Sequence, residues 1–460
     1  MKLESLMMKK MPIWVFLLLI SLVLVGSVLF GWLVKHALNG DERLGETGQV
    51  VLTIADFPSL VKNTFSELRR GDSSPLLVAN RFSQIDGFKK NGKVQPGAVN
   101  DDGYLLLSAY DDKKGQSTVK LMRISDARVL HEWVPDIRQL KKHQHTDSKF
   151  FNITDLSPSD YRMIHPLLLD DGSIVFKYRG PLFKVNACSD IEWEVDGVYH
   201  HSIEQDPDGS FWVSSVIEPS LYDKVKFIDF RDDAITKISP DGKVLFAKSV
   251  SQILEENGYR GLLFGAGLYD NDAIHLNDIQ PAFYSSPYWE KGDLLLSLRD
   301  RSAVLLYRPS TNKIIWLKTG PWLNQHDVDF IGQSKISIFG NDVIRTPVGS
   351  ALVGNHNNIY IVDLADEHIS MPYSETMKKS DVRTLSQGEQ DILDNGDVFI
   401  EETDYARIMR LSPEQVVWEF TVKVDDNTLG MTGWSRYLTK SQASSIVSVL
   451  KGMKCTKKLK

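Results

Sequence analysis

Residues 171–180 read DGSIVFKYRG, and residues 208–217 read DGSFWVSSVI. In both, an Asp-Gly pair suited to a tight hairpin turn opens a short run of β-branched and aromatic residues. The unit recurs in both directions along the chain as a turn glycine, a β run, a second run, and an aromatic residue on a later strand. Copies run from Gly103 (followed by YLLLSAY) to Trp133, Gly172 to Trp193, Gly209 to Phe246, Gly292 (DLLLSLR) to Trp316 and Gly396 (DVFIEET) to Trp418. A looser sixth begins at Ile331 and continues through Asn358. Repeats of roughly 40 residues, each with several strands and a punctuating aromatic, read as propeller blades, because each buries one face against the next. The expected fold is all-β, a six-bladed β-propeller over residues 91–437. The spacing is uneven, 37 residues from Gly172 to Gly209 and 83 from Gly209 to Gly292, and leaves a β-sandwich or a seventh blade as alternatives.

Ahead of the repeats, residues 11–34, MPIWVFLLLISLVLVGSVLFGWLV, carry no charge over 24 positions. At ~1.5 Å per residue, a helix of that length crosses a ~30 Å hydrocarbon core. A cleaved signal would have a shorter apolar region and a small-residue cleavage site, so this segment reads as a retained single-pass transmembrane helix. Lys2, Lys9 and Lys10 precede it, while Lys35 is soon followed by Asp41, Glu42 and Glu46. The positive-inside rule then keeps residues 1–10 in the cytoplasm and sends the rest across the inner membrane to the periplasm or the exterior. Residues 35–90 read as a linker and lead-in with an amphipathic helix near residues 59–68. Residues 438–460 read as a solvated basic tail. Cys455 falls in that tail, so it and Cys188, the two cysteines of the 460-residue chain, are expected as free thiols. The formal charge of −7 argues against a nucleic-acid partner.

Aligning the repeats on their turn glycines reveals a recurring histidine. His165 lies 7 residues before Gly172, His201 lies 8 before Gly209, and His326 lies 6 before Gly332. His275 lies 17 before Gly292, the excess being an insertion that contains Phe283, Tyr284, Tyr288 and Trp289. Arg179 and Arg299 each follow their glycine by 7. Equivalent strands of a propeller face one channel, so these side chains are expected to converge there. A single strand histidine is ordinarily a satisfied structural residue, and His165, followed by Pro166, fits that reading best. His143, His145 and His356 read as loop residues. There is no phosphate-binding loop, dinucleotide turn, HExxH helix or GxSxG elbow, so no cofactor is expected. Three imidazoles could hold zinc, but an arginine among them suits an anion better, so no metal is expected either.

HHSIEQDPDGSFWV (200–213), HLNDIQ (275–280), LLLSLRDR (294–301), TGPWLNQHDVDF (319–330) and WSRY (434–437) together resemble the bacterial aryl-sulfate sulfotransferase family. The resemblance implies a six-bladed propeller that moves a sulfuryl group from an aryl sulfate to a phenolic acceptor, through a sulfohistidine and without a nucleotide donor. Carried over by motif, His326 is the nucleophile, with His275, Asn277, Arg299 and His201 in support. His200, Arg179, Tyr288 and Trp289 are candidates for binding substrate. Tyr288 and Trp289 belong either to a loop over the channel or to blade packing. Asp327 and Asp329 either set the His326 tautomer or close a turn. The well-known soluble members carry an extra N-terminal β-domain and a disulfide, whereas only about 55 residues separate anchor from propeller here. The competing reading is a membrane-anchored propeller without catalysis that binds a sulfated or otherwise anionic glycan or a partner.

Overall fold

A computed structural model describes residues 12–38, 44, 47–48, 50–55, 76–82, 85–90, 93–94, 100–151, 153, 156–221, 230–265, 271–346 and 349–455. The chain divides into a unit at residues 1–73 and another at residues 74–460. In the first, the uncharged run forms the helix Ile13–Leu38, apolar enough along its length to cross a membrane and compatible with a single-pass anchor. The helix expected near residues 59–68 lies outside the described residues.

The second unit is an all-β, propeller-like arrangement of antiparallel sheets that follow one another in chain order. Among the described residues three have four strands, one has six, one has seven and two are two-stranded pairs. The C-terminal strand Arg436–Leu438 pairs with Tyr104–Asp111, so the last strand of the chain completes the first four-stranded sheet. In the seven-stranded sheet, the long strand Ile191–Gln205 pairs through its first half with Gly180–Val185 and through its second with Phe211–Ile217. Leucines at 276, 294, 296 and 298 pack with Ile235, Val250 and Ile253 between neighbouring sheets. Burying each such side chain stabilises by roughly 1.5–3 kcal/mol.

Two of the repeated tryptophans join sheets, and Trp193 ties together separate strands of the seven-stranded sheet. Trp133, Trp193 and Trp418 send their indole N–H to Gly172 O (3.1 Å), Pro240 O (3.0 Å) and Asp101 Oδ2 (2.9 Å). A second set of bonds runs between successive inner strands. His165 Nδ1 accepts the Ile203 N–H, Ser202 Oγ that of Ile279, Asp278 Oδ2 that of Val328, and Asp327 Oδ2 that of Gln390. Each inner strand thereby satisfies a backbone donor of the next with a side chain, as a buried N–H requires.

Two expectations about the C-terminus are corrected. Thr439 and Gln442 form a capping box on the helix Lys440–Gly452, whose Ala443, Ile446, Val447 and Leu450 join the core beside Ile174, Phe176 and Val185. That docking ties the helix to the core and delivers Cys455 to the turn holding Cys188. The two cysteines form a disulfide, with Cα atoms 5.4 Å apart, in place of the expected free thiols. It closes a loop of 267 residues. Cys188→Ser is therefore expected to lower unfolding stability by about 2–4 kcal/mol, read as a lower denaturant midpoint. An unchanged midpoint would mean that the helix holds without its tether.

Candidate active site

His201, in the second half of the strand Ile191–Gln205, gathers with His275, just ahead of the strand Leu276–Pro281, and His326, just ahead of the strand Val328–Ile331. The His201 ring centroid is 5.0 Å from His275, 6.2 Å from His326 and 6.1 Å from the buried ring of Trp434. His326 is likewise 6.1 Å from Trp434. His201, His275 and Trp434 take left-handed backbone angles (φ 52°, 53° and 58°). Non-glycine residues rarely adopt that region, and strained angles of this kind concentrate at functional sites. At His201 the pairing register slips between His200 and Ile203, and such bulges re-aim a side chain. Lys177, fully buried, donates to the carbonyls of Ile164 and His201 and so holds the slipped strand in place.

His326 is 1% exposed. Its Nδ1 faces Asn341 Oδ1 at 2.6 Å. The Asn341 amide nitrogen donates to the Thr384 and Gln387 carbonyls, so Oδ1 is the acceptor and Nδ1 carries the hydrogen. Nε2 keeps its lone pair, which accepts the Gln387 N–H at 2.9 Å. Burial, and next to it the Arg299 guanidinium, hold this imidazole well below its ordinary value, so it is neutral at pH 7. Asp327 and Asp329 do not set the tautomer: Asp327 caps the Gln390 N–H and Asp329 accepts from the Gln390 side chain.

Arg299 follows the strand Leu294–Leu298 and donates its N–H to the His275 carbonyl at 3.1 Å. Its guanidinium is largely buried, with Nε lacking a hydrogen-bond partner, and Nη1 is 3.5 Å from Asp300 Oδ1. A desolvated guanidinium with an open donor is suited to an anion. Asn277, fully buried, donates to the carbonyl of Gln325 at 3.0 Å and thus holds the residue that precedes His326. His200 is buried with Nε2 3.4 Å from Asp233 Oδ1, and its Nδ1 lies 2.8 Å from His201 Nδ1. Of the pair, His201 is the one beside the other two rings.

The other candidates make different contacts, although His165 also packs on Trp434, with ring centroids 5.4 Å apart. Trp289 is 1% exposed and packs against Phe330 and Leu306, with Tyr288 alongside, at the far end of the strand Leu276–Pro281 from His275. That is the blade-packing alternative, because the insertion leaves the strand away from the imidazoles. Arg179 lies over the Phe151 ring at 5.9 Å. His165 is buried, with Nε2 3.3 Å from Glu389 and its Nδ1 in the inner-strand series. His143 pairs with Glu194, and His356 bonds Gly354 O and Ser374 Oγ.

Residue patterns alone did not single out Asp272, Asn341, Gln387 or Trp434. Trp434 stands in the quoted WSRY motif and Asp272 only three residues before His275, whereas Asn341 and Gln387 meet His326 only through the fold. Asp272, His275 and Asp300 each offer one ligand atom within 4.8 Å of one another, the one such group among the described residues. Their carboxylates already face guanidiniums, Arg231 at 2.9 Å from Asp272 and Arg345 at 2.9 Å from Asp300, which favours an anion over a cation here.

The profile of the arylsulfotransferase (ASST) family matches residues 165–423, which contain all three clustered imidazoles and Arg299. The chain belongs to the arylsulfotransferase family, and that membership supports sulfotransferase activity in general. No curated protein matches the chain. Among solved structures it is similar to a protein of unknown function from Bacteroides caccae (13% identity, 74% of this chain and 99% of that one, TM-score 0.46). It is also similar to the Pan2 WD40 domain of Neurospora crassa (10% identity, 77% and 97%, TM-score 0.40). A third is a catalytically inactive virginiamycin B lyase from Staphylococcus aureus (10% identity, 75% and 98%, TM-score 0.38).

Proposed function

We propose that this protein is an aryl-sulfate sulfotransferase that carries the sulfuryl group on His326 Nε2 between an aryl sulfate and a phenolic or other hydroxyl acceptor. The observation that carries the reading is the state of His326, a neutral imidazole with Nδ1–H locked by Asn341 and its lone pair at Nε2, beside an arginine with an open donor. Sulfuryl transfer, like phosphoryl transfer, needs an in-line nucleophile and donors around oxygens that share negative charge. Arg299 is the donor, Asn277 positions His326 through Gln325, and the Gln387 N–H must give way for Nε2 to reach sulfur. His275 protonates the leaving phenolate and later takes the acceptor's proton, while His201 lines the space between them. No nucleotide, metal or other cofactor takes part in this scheme.

The six-blade count belongs to the same proposal and is supported by the strand Ile191–Gln205. Divided where its partner changes, the seven-stranded sheet yields two four-stranded units that share it. The domain order is an anchor at 11–34, a lead-in to residue 90, the catalytic propeller at 91–437 and a C-terminal segment at 438–460. In this reading the propeller lies in the periplasm or outside the cell, with the bilayer engaged by residues 11–34. Protease added to spheroplasts is expected to digest the propeller and leave the helix in the membrane, and protection of the propeller would reverse the orientation.

The test of function is incubation of the full-length protein with 4-nitrophenyl sulfate, with and without phenol. Without acceptor the chain should gain one sulfuryl group, and phenol should remove it. Because the folded His326 lies below its ordinary value, the neutral nucleophile persists as the pH falls through 6.5. The rate of adduct formation is therefore expected to stay level between pH 8 and pH 6, since a nitrophenolate leaves without a proton. A loss of rate centred near pH 6.5 would mean an ordinary imidazole attacks, and no turnover with any aryl sulfate would move the assignment to a binding propeller.

A further inference from the structure

His275 is the proton carrier of the scheme above, and its ring is held by a partly buried chain of charged groups that no step of that scheme uses. His275 Nδ1 faces Asp272 Oδ2 at 2.5 Å. An ionised carboxylate only accepts, so Nδ1 carries the hydrogen and Nε2 is the nitrogen left for exchange. The same oxygen accepts from Arg231 Nη1 at 2.9 Å. Arg231 Nε is 3.0 Å from Asp233 Oδ1, and Asp233 Oδ2 accepts the Leu276 N–H at 2.6 Å, one residue beyond His275. Asp233 Oδ1 in turn faces His200, which leads to His201. Burial would raise the Asp272 carboxyl, but the hydrogen bond and charge of His275, and then Arg231, hold it below the usual carboxylate range. Asp272 is therefore an anion at neutral pH.

We propose that Asp272 is the positioning residue of His275, fixing its Nδ1–H tautomer and stabilising the imidazolium whose Nε2 proton goes to the departing phenolic oxygen. This rests on His275 being the proton donor. In the first half-reaction His326 Nε2 bonds to sulfur while the bond from sulfur to the aryl oxygen breaks. That bond's electron pair stays on the oxygen, which takes the proton from His275 Nε2. In the second half-reaction the neutral His275 Nε2 removes the acceptor's hydroxyl proton as that oxygen bonds to sulfur. The nitrogen–sulfur bond then returns its pair to His326. Asp272 exchanges no proton in either half, and its charge stabilises the imidazolium that gives its proton in the first half and forms again in the second. The other charged or titratable groups facing His275 are Asp300, Arg231, Arg299 and the imidazoles of His200, His201 and His326. Of these, Asp272 supplies the carboxylate hydrogen-bonded to its ring.

The experiment compares full-length wild type, Asp272→Asn, Asp272→Glu and His275→Gln on a series of aryl sulfates whose phenols rise in pKa. Asp272→Asn is expected to slow phenyl sulfate by about 100-fold and 4-nitrophenyl sulfate by less than about tenfold, steepening the dependence on leaving group. Asp272→Glu should steepen the dependence less, since the charge is kept but displaced. His275→Gln should show the steep dependence, and adding Asp272→Asn to it should cost nothing more. Equal losses on every donor would mean that Asp272 merely anchors Arg231, and the proposal falls. If His275→Gln itself shows no leaving-group dependence, the assignment of His275 fails separately. Should Asp272→Asn not fold, Asp272→Glu decides, and a dependence there no steeper than in wild type overturns the proposal.

Discussion

Replacing His326 with alanine is expected to abolish both the sulfuryl adduct and all turnover, a fall of at least about 10⁴-fold, with the fold retained. The reason is that no neighbour can substitute for it. His275 has its Nδ1 committed to Asp272 and serves as acid, and His201 has its Nδ1 against His200. His326 alone combines a hydrogen locked on Nδ1 by a neutral amide with a lone pair on Nε2. A group that must attack sulfur needs that pair and gains nothing from a carboxylate, which would favour protonation. The check is intact mass with donor alone, followed by peptide mapping of TGPWLNQHDVDF. An adduct on the peptide of His201 or His275 would transfer the nucleophile's role, and an adduct on no histidine would remove the two-step mechanism. Turnover surviving in His326→Ala would do the same.

Arg299→Ala has the second largest expected effect, slowing adduct formation by about 10²- to 10³-fold, the usual cost of losing one preorganised donor to developing charge. Its guanidinium is desolvated and retains an Nε–H without a partner, so it meets a sulfuryl oxygen without first breaking a bond of its own. Removing it should also relieve the electrostatic pressure that keeps His326 unprotonated, since its charge follows burial as a cause of that lowering. The variant's rate of adduct formation should therefore begin to fall at a higher pH than the wild type's as acid is added. Arg299→Lys should recover only part of the rate, because an ammonium keeps the charge but not the planar donors. A loss below tenfold with an unshifted acid limb would show that Arg299 faces away from the transferring group.

The repeat of turn glycine, β run and aromatic was readable because each is a local choice. Gly172 and Gly209 take the positive φ that an Asp-Gly turn demands, and Trp133 and Trp418 recur where one sheet must grip the residues that lead into the next, as Trp193 grips a turn of its own sheet. The uncharged run at residues 11–34 needed only length and composition. His201, His275 and His326 could be paired in sequence because repeat units place equivalent residues alike, and the family motifs named them. What partners each imidazole has was beyond that reading. Asn341 and Gln387 reach His326 across 15 and 61 residues, and His200 meets Asp233 from another strand of its sheet. A tautomer or a depressed pKa follows from such contacts and from burial, neither of which a residue's neighbours in sequence specify. Tyr288 and Trp289 carried the right chemistry for an aromatic substrate, yet their insertion leaves the wrong end of its strand and packs between sheets. The C-terminal stripe Ala443, Ile446, Val447 and Leu450 was present in the sequence as an amphipathic helix, though its lysines and serines read as a solvated tail. By itself the sequence determined the repeating β architecture, the apolar helix and the histidines that gather. Tertiary structure alone decided the roles those histidines can take and the pairing of Cys188 with Cys455, because both depend on which distant groups burial brings within hydrogen-bonding or bonding distance.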